Sequence, residues 1–133
     1  LELTGGMKDL VGKMEAVFAE SGWRFPMKGD LLAAASGDEK KMNSCIRLLQ
    51  DGGKIVRVGN EGWISAPSLE EVISRVAGII GGKGSMSVGD FKDGLGLSRK
   101  YAVPLLEYLD GSGYTRREGD DRVAGPALKG ERE

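Results

Sequence analysis

Two short clusters of cations carry the clearest chemistry in this chain. Ser98-Arg99-Lys100-Tyr101 opens what reads as a helix, and Arg116, Arg117 and Arg122 crowd one predicted hairpin. A helix start already offers free N–H groups and the positive end of its dipole to an anion. Placing Arg99 and Lys100 there costs roughly 0.3–1 kcal/mol each unless an external anion offsets it. A guanidinium can clamp a phosphate at two points or lie flat on an unstacked base, and Tyr101 adds an aromatic face beside them. The chemistry on offer is therefore recognition of a phosphate-rich polymer, with Arg99, Lys100 and Tyr101 on the helix and Arg116, Arg117 and Arg122 on the hairpin.

Few catalytic chemistries compete with that reading. The chain has 133 residues, no His and one Cys. Without His there is no Ser-His-Asp or Cys-His couple, no HExxH metalloprotease motif and no C2H2 zinc finger. No GxxxxGK[ST] phosphate loop occurs. We expect no catalytic centre and no metal. One Cys allows no internal disulfide and fits a reducing compartment. No apolar run approaches the ~20 residues of a membrane span, so no membrane partner is expected. Net charge is −1, and it divides almost evenly: residues 1–67 carry 9 Lys+Arg against 9 Asp+Glu, and residues 68–133 carry 10 against 11. Any nucleic-acid surface must come from clustering, not from excess charge.

The elements that would position these cations occur twice. Sliding the chain by 60 positions sets Gly29-Asp30 on Gly89-Asp90, Lys40 on Lys100, Leu49 on Leu109, and Arg57 and Gly59 on Arg117 and Gly119. A slip to 62 aligns the first helices, Leu10, Val11, Met14, Val17 and Phe18 with Val72, Ile73, Val76, Ile79 and Ile80. Each set follows one helical face. Each copy reads helix, helix, helix, hairpin. In the first copy, Gly22 ends the first helix, a short second helix spans 28–35, and Asp38 caps a third that buries Met42, Cys45, Ile46 and Leu49. A hairpin follows around Gly59-Asn60-Glu61-Gly62. In the second copy Ser68 caps the first helix, 81–84 is a loop, and 85–87 is a possible short strand. The second helix spans 88–95. Ser98 caps the third, and 114–118 with 122–124 flank the turn Gly119-Asp120-Asp121.

We therefore expect an α+β chain, mostly α with small β-hairpins, forming two tandem winged-helix domains. Residues 1–66 form the first and 67–125 the second, and 126–133 are expected to be a frayed tail. The copies differ where it matters. The first begins its third helix with Asp38-Glu39, the electrostatically sensible order, and the second with Ser98-Arg99-Lys100. Alternation puts Arg116 and Arg117 on opposite faces of the hairpin, so one of them at most shares the face of Arg122. Nucleic-acid binding is assigned to the second copy and a positioning role to the first. Pro104 removes the bond to the Lys100 carbonyl and leaves the helix start free to be irregular.

The run Phe91-Lys92-Asp93, Ser98-Arg99-Lys100-Tyr101-Ala102-Val103, Leu106-Glu107-Tyr108-Leu109-Asp110 and Gly113-Tyr114-Thr115-Arg116-Arg117-Glu118-Gly119-Asp120 resembles a known pattern. It is similar to the C-terminal end of the bacterial selenocysteine-specific translation elongation factor family, SelB, over about thirty positions. The first copy fits the preceding winged helix of that family loosely. The resemblance implies the last two of the family's four winged-helix domains. In that family an N-terminal GTPase carries selenocysteinyl-tRNA to the ribosome, and the C-terminal winged helices anchor it to an mRNA hairpin beside an in-frame UGA codon. Carried over by position, the RNA contacts fall on Arg99, Lys100, Tyr101, Arg116, Arg117, Gly119, Asp120 and Arg122. GTP and magnesium would belong to the missing N-terminal part, so this chain needs no cofactor and is expected to be a fragment without the GTPase, working in the cytoplasm. Two other classes stay open on the residues alone: a tandem winged-helix DNA-binding regulator, and a protein-interaction or spacer pair.

Overall fold

In a computed structural model, which describes residues 5–129, the chain divides into two compact units, Leu1–Ser68 and Leu69–Glu133. The first unit contains α1 (Gly5–Ser21), α2 (Lys28–Ala34), α3 (Glu39–Asp51), β1 (Ile55–Val58) and β2 (Gly62–Ser65). Helix α4 (Ala66–Lys83) follows β2 directly, and α5 (Val88–Leu95), α6 (Arg99–Gly111), β3 (Thr115–Glu118) and β4 (Asp121–Ala124) complete the chain. Six helices and two antiparallel hairpins give the winged-helix order twice.

In the first unit the amphipathic faces close on one another. Leu10, Met14 and Phe18 of α1 meet Leu31 of α2 and Met42, Cys45, Ile46 and Leu49 of α3, with Ile55 and Trp63 from the hairpin. Asp38 caps α3 as its position suggests, accepting from the Lys41 N–H at 3.1 Å. The Cys45 thiol is held above its ordinary range, first by burial and then by the charge of Glu15. It is a small core hydrophobe, not a nucleophile.

The second unit buries Leu69, Val72, Val76 and Ile80 of α4, Phe91 and Leu95 of α5, and Ala102, Leu105, Leu106 and Leu109 of α6. Helix α5 begins with a reciprocal cap. The Ser87 hydroxyl accepts from the Asp90 N–H at 2.9 Å, and the Asp90 carboxylate accepts from the Ser87 N–H at 3.0 Å. Lys83 adds an ion pair to Asp90 at 3.1 Å. The Ser87 N–H, followed by Lys83, holds the Asp90 carboxyl below the ordinary carboxylate range.

Three expectations need correcting. The cap of α4 is Ser65, not Ser68: the Ser68 N–H donates to Ser65 Oγ at 3.3 Å, so the helix starts at Ala66. The stretch 81–83 continues that helix instead of forming a loop, and the turn comes at Gly84, whose N–H donates back to the Ile80 carbonyl. The residues just after Gly125 are not frayed. Ala127 N–H donates to the Gly113 carbonyl at 2.9 Å and Lys129 N–H to the Gly125 carbonyl at 3.1 Å. Gly125 is buried against Gly113 so closely that a Cβ would strike its backbone. Two glycines in contact, far apart in sequence, leave no local signal for this turn. Residues 130–133 lie outside the described residues. The short strand at 85–87 is present as a bridge, with Met86 and Arg122 exchanging backbone hydrogen bonds at 2.8 and 2.9 Å.

Candidate nucleic-acid interface

Helix α6 sets the core of the site. Ala102, Leu105, Leu106 and Leu109 are buried on its inner face, so Arg99 and Lys100 stand exposed at its first turn. Ser98 has the extended backbone of a cap residue, φ −79° and ψ 166°, yet its hydroxyl makes no capping bond. The Tyr101 and Ala102 N–H groups bond the Ser98 carbonyl at 3.1 and 3.0 Å. The N–H groups of Arg99 and Lys100 precede them in the turn and have no intrahelical acceptor. Helices α3 and α5 close the same gap with a side chain and α6 does not. Two exposed cations and two backbone donors thus share the first turn of α6, which suits a phosphate. Lys100 Nζ lies 5.6 Å from the Tyr101 ring centroid, and Tyr101 is half-buried. The helix runs unbroken through Pro104, which cannot donate to the Lys100 carbonyl.

The wing supplies the rest. Arg117 pairs directly with Arg122 across the hairpin, and Thr115 with Ala124. Those four residues share one face, and Arg116 and Glu118 lie on the other. Gly119 turns the hairpin at φ +65°, the glycine-first arrangement of a two-residue turn. Gly119 and Asp120 are exposed at the tip.

The structure separates the wing arginines. Arg116 is exposed and paired with Glu118 at 3.0 Å, both side chains about 60% exposed (62% and 58%). Such a pair carries little stability and gives way easily to a phosphate. Arg117 is exposed and has no side-chain hydrogen bond or ion pair to another described residue. Arg122 does not join the exposed surface expected for it. Its side chain is 7% exposed, and Nε and Nη2 grip the Asp110 carboxylate at 3.0 and 2.9 Å. Thr115 Oγ1 donates to the same carboxylate at 2.6 Å. Asp110 and Thr115 were not among the sequence-derived site residues. The available signal was an acid in the last turn of a helix, where the dipole disfavours it, followed by a hairpin rich in arginine.

The first unit gives an internal comparison. By hairpin register Arg57 faces Trp63 as Arg117 faces Arg122. Arg57, however, is engaged: it lies 5.9 Å from the Trp63 ring centroid and donates to the Asn60 carbonyl at 2.7 Å. At the start of α3 the exposed Lys40 and Lys41 stand beside Asp38 and Glu39, so the cations of this turn are balanced by acids, as those of α6 are not. Among the described residues no three His, Cys, Asp or Glu side chains converge as a metal site, and no helix is long and apolar enough to cross a membrane.

Residues 79–124 match the family model for the winged helix of elongation factor SelB. The chain is 32% identical over 109 residues, 82% of its length, to the selenocysteine-specific elongation factor of Desulfomicrobium baculatum. It is 30% identical over 116 residues to that of Escherichia coli. It spans only 17% and 18% of those relatives' length. Among solved structures it is similar to the mRNA-binding domain of E. coli SelB in complex with SECIS RNA. The TM-score there is 0.80 and the identity 27%, covering 92% of this chain and 99% of that one. It is also similar to a bacterial selenocysteine-specific elongation factor, EF-Sec, with TM-score 0.70, 26% identity, and cover of 92% of this chain and 20% of that one.

Proposed function

We propose, from the premise that residues 79–124 belong to the SelB winged-helix family, that this chain is the mRNA-binding part of a selenocysteine-specific elongation factor. In this reading it anchors the factor to the SECIS hairpin through the first turn of α6 and the β3–β4 wing. The observation that carries the reading is the unsatisfied cationic turn: Arg99 and Lys100 exposed on a helix start whose Ser98 does not cap it. Arg117 on the wing adds a guanidinium that has no side-chain partner among the described residues. RNA is read mostly at unstacked loops, since the A-form major groove is too deep and narrow for side chains. A compact helix end with a wing suits a hairpin tip. Arg99 either clamps a phosphate or stacks on a splayed base, and Tyr101 supplies an aromatic face beside it. Arg117 and Arg116 track the backbone, with Gly119 and Asp120 at the tip close to it.

The chain does no chemistry of its own in this account. GTP and magnesium, selenocysteinyl-tRNA and the ribosome are engaged by the remainder of such a factor, in the cytoplasm, and the first unit positions the second. A DNA-reading role is less well supported, because beyond Lys100 the exposed side of α6 carries Glu107 and no further cation. The test is a titration of the chain against a SECIS-type hairpin, the same hairpin with a scrambled loop, and duplex DNA, at several salt concentrations. Tight, loop-dependent binding to the hairpin alone is expected. Equal affinity for all three, or preference for the duplex, overturns the reading.

A further inference from the structure

The side chains that fasten the wing to the recognition helix are not those that face solvent. Thr115 on β3 and Arg122 on β4 both end on one carboxylate, that of Asp110 in the last turn of α6. Asp110 is itself 23% exposed. Each strand of the wing is thereby tied separately to the helix. A guanidinium bound at two points to a carboxylate fixes direction as well as distance. We propose that Asp110, Thr115 and Arg122 form a partly buried polar clamp that sets the orientation of the wing on α6 and so presents Arg117 to the RNA. Arg122 and Asp110 are positioning residues in this proposal, which rests on the RNA-binding reading above.

Three observations carry the proposal. Asp110 occupies the negative end of α6, where a carboxylate is disfavoured unless a cation answers it. A buried ion pair is weak evidence for a purely stabilising role, since well-packed apolar side chains often replace one at no loss. The first unit does use apolar side chains: the positions that match Thr115 and Arg122 in hairpin register are Ile55 and Trp63, both in the core. Its wing arginine, Arg57, is tied down, whereas Arg117 is not. The polar clamp therefore occurs in the unit whose wing carries the unengaged guanidinium, directly across the hairpin from it.

The experiment uses the whole chain with Asp110→Asn, the apolar double replacement Asp110→Leu with Arg122→Met, and Arg117→Ala alone and on each background. Thermal melts, residual dipolar couplings of the backbone N–H groups of β3, β4 and α6, and hairpin affinity are measured. The double variant leaves the buried Thr115 hydroxyl without its acceptor and is expected to melt modestly below wild type, while the β3–β4 couplings change relative to those of α6. Arg117→Ala is expected to weaken hairpin binding about tenfold in the native background, the scale of one good contact. On either clamp background it is expected to add less than a factor of about two, because the contact is already lost. Unchanged couplings overturn the clamp, as do independent, multiplying effects. Tighter binding by Asp110→Asn also overturns it, since that would mean a released Arg122 touches RNA itself. If wild type shows no hairpin preference, the RNA reading fails, and the couplings alone decide whether the clamp orients the wing.

Discussion

Arg99 and Arg117 differ from Arg116 and Arg122 in having no carboxylate to answer to among the described residues. That difference separates the two pairs, and residue type alone does not reveal it. The sequence marks all of them as candidates because a guanidinium reads the same whether it meets a phosphate or a buried aspartate. Arg122 shows the limit: its fate depends on Asp110, twelve positions away, and on which hairpin face packs inward. At the helix start the sequence is more informative, because two cations at the positive end of a dipole are unfavourable without an anion. Arg99→Ala is expected to weaken hairpin binding by about 1–3 kcal/mol, the scale of a base-edge contact or one base stack. Arg99→Lys recovers only part of that. Melts stay unchanged or rise slightly, since removing a cation there relieves the dipole. Titrations with parallel melts check all three statements.

At the scale of elements, the sequence places α3 and α5 where they are found and marks Asp38 as the cap of α3, whereas the Ser87 cap of α5 emerges only in the structure. Local chemistry decides such ends: a short polar side chain and a free N–H three residues on. It does not decide the start of α4, where two serines three apart compete and Ser65 takes the cap from inside a strand. Nor does it reveal the turn after Gly125, which depends on a long-range approach to Gly113. The cap of α5 gives a pH prediction. Because folding lowers the Asp90 pKa, its contribution is fully present above the ordinary aspartate value, about 4, and is lost as pH falls through the lowered folded value. Stability of the second unit is expected to drop across that window, and Asp90→Asn is expected to flatten the drop. Melts from pH 6 downward test this. The buried Cys45 in α3 supplies a second check. Its raised pKa and burial predict negligible reaction with an aromatic disulfide reagent at neutral pH until the first unit is unfolded. Rapid labelling of the native chain contradicts the core packing described for α3.

For the whole molecule, the account is one of unequal twins. The repeat is legible because helical periodicity and turn glycines recur together, and the chain divides into compact units between Ser68 and Leu69. What the repeat conceals is divergence at matched positions. Asp38-Glu39 stands against Ser98-Arg99, and the engaged Arg57 against Arg117, which is unengaged among the described residues. Arg57→Ala is accordingly expected to leave hairpin affinity within about twofold of wild type, since exposed groups outside an interface contribute little to binding. A loss comparable to that of Arg117→Ala would move part of the RNA surface to the first unit. The central claim, that RNA binding resides on the α6 start and the wing of the second unit, has a direct measurement. A 15N-labelled sample of the intact chain is titrated with unlabelled SECIS-type hairpin, and each backbone amide is followed. The expected result is that the largest shifts cluster at Arg99, Lys100 and Tyr101 and at Arg116 through Asp120, with the amides of α3 and β1–β2 little changed. Shifts centred on α3 and the first wing, with the α6 start and second wing silent, would contradict the account.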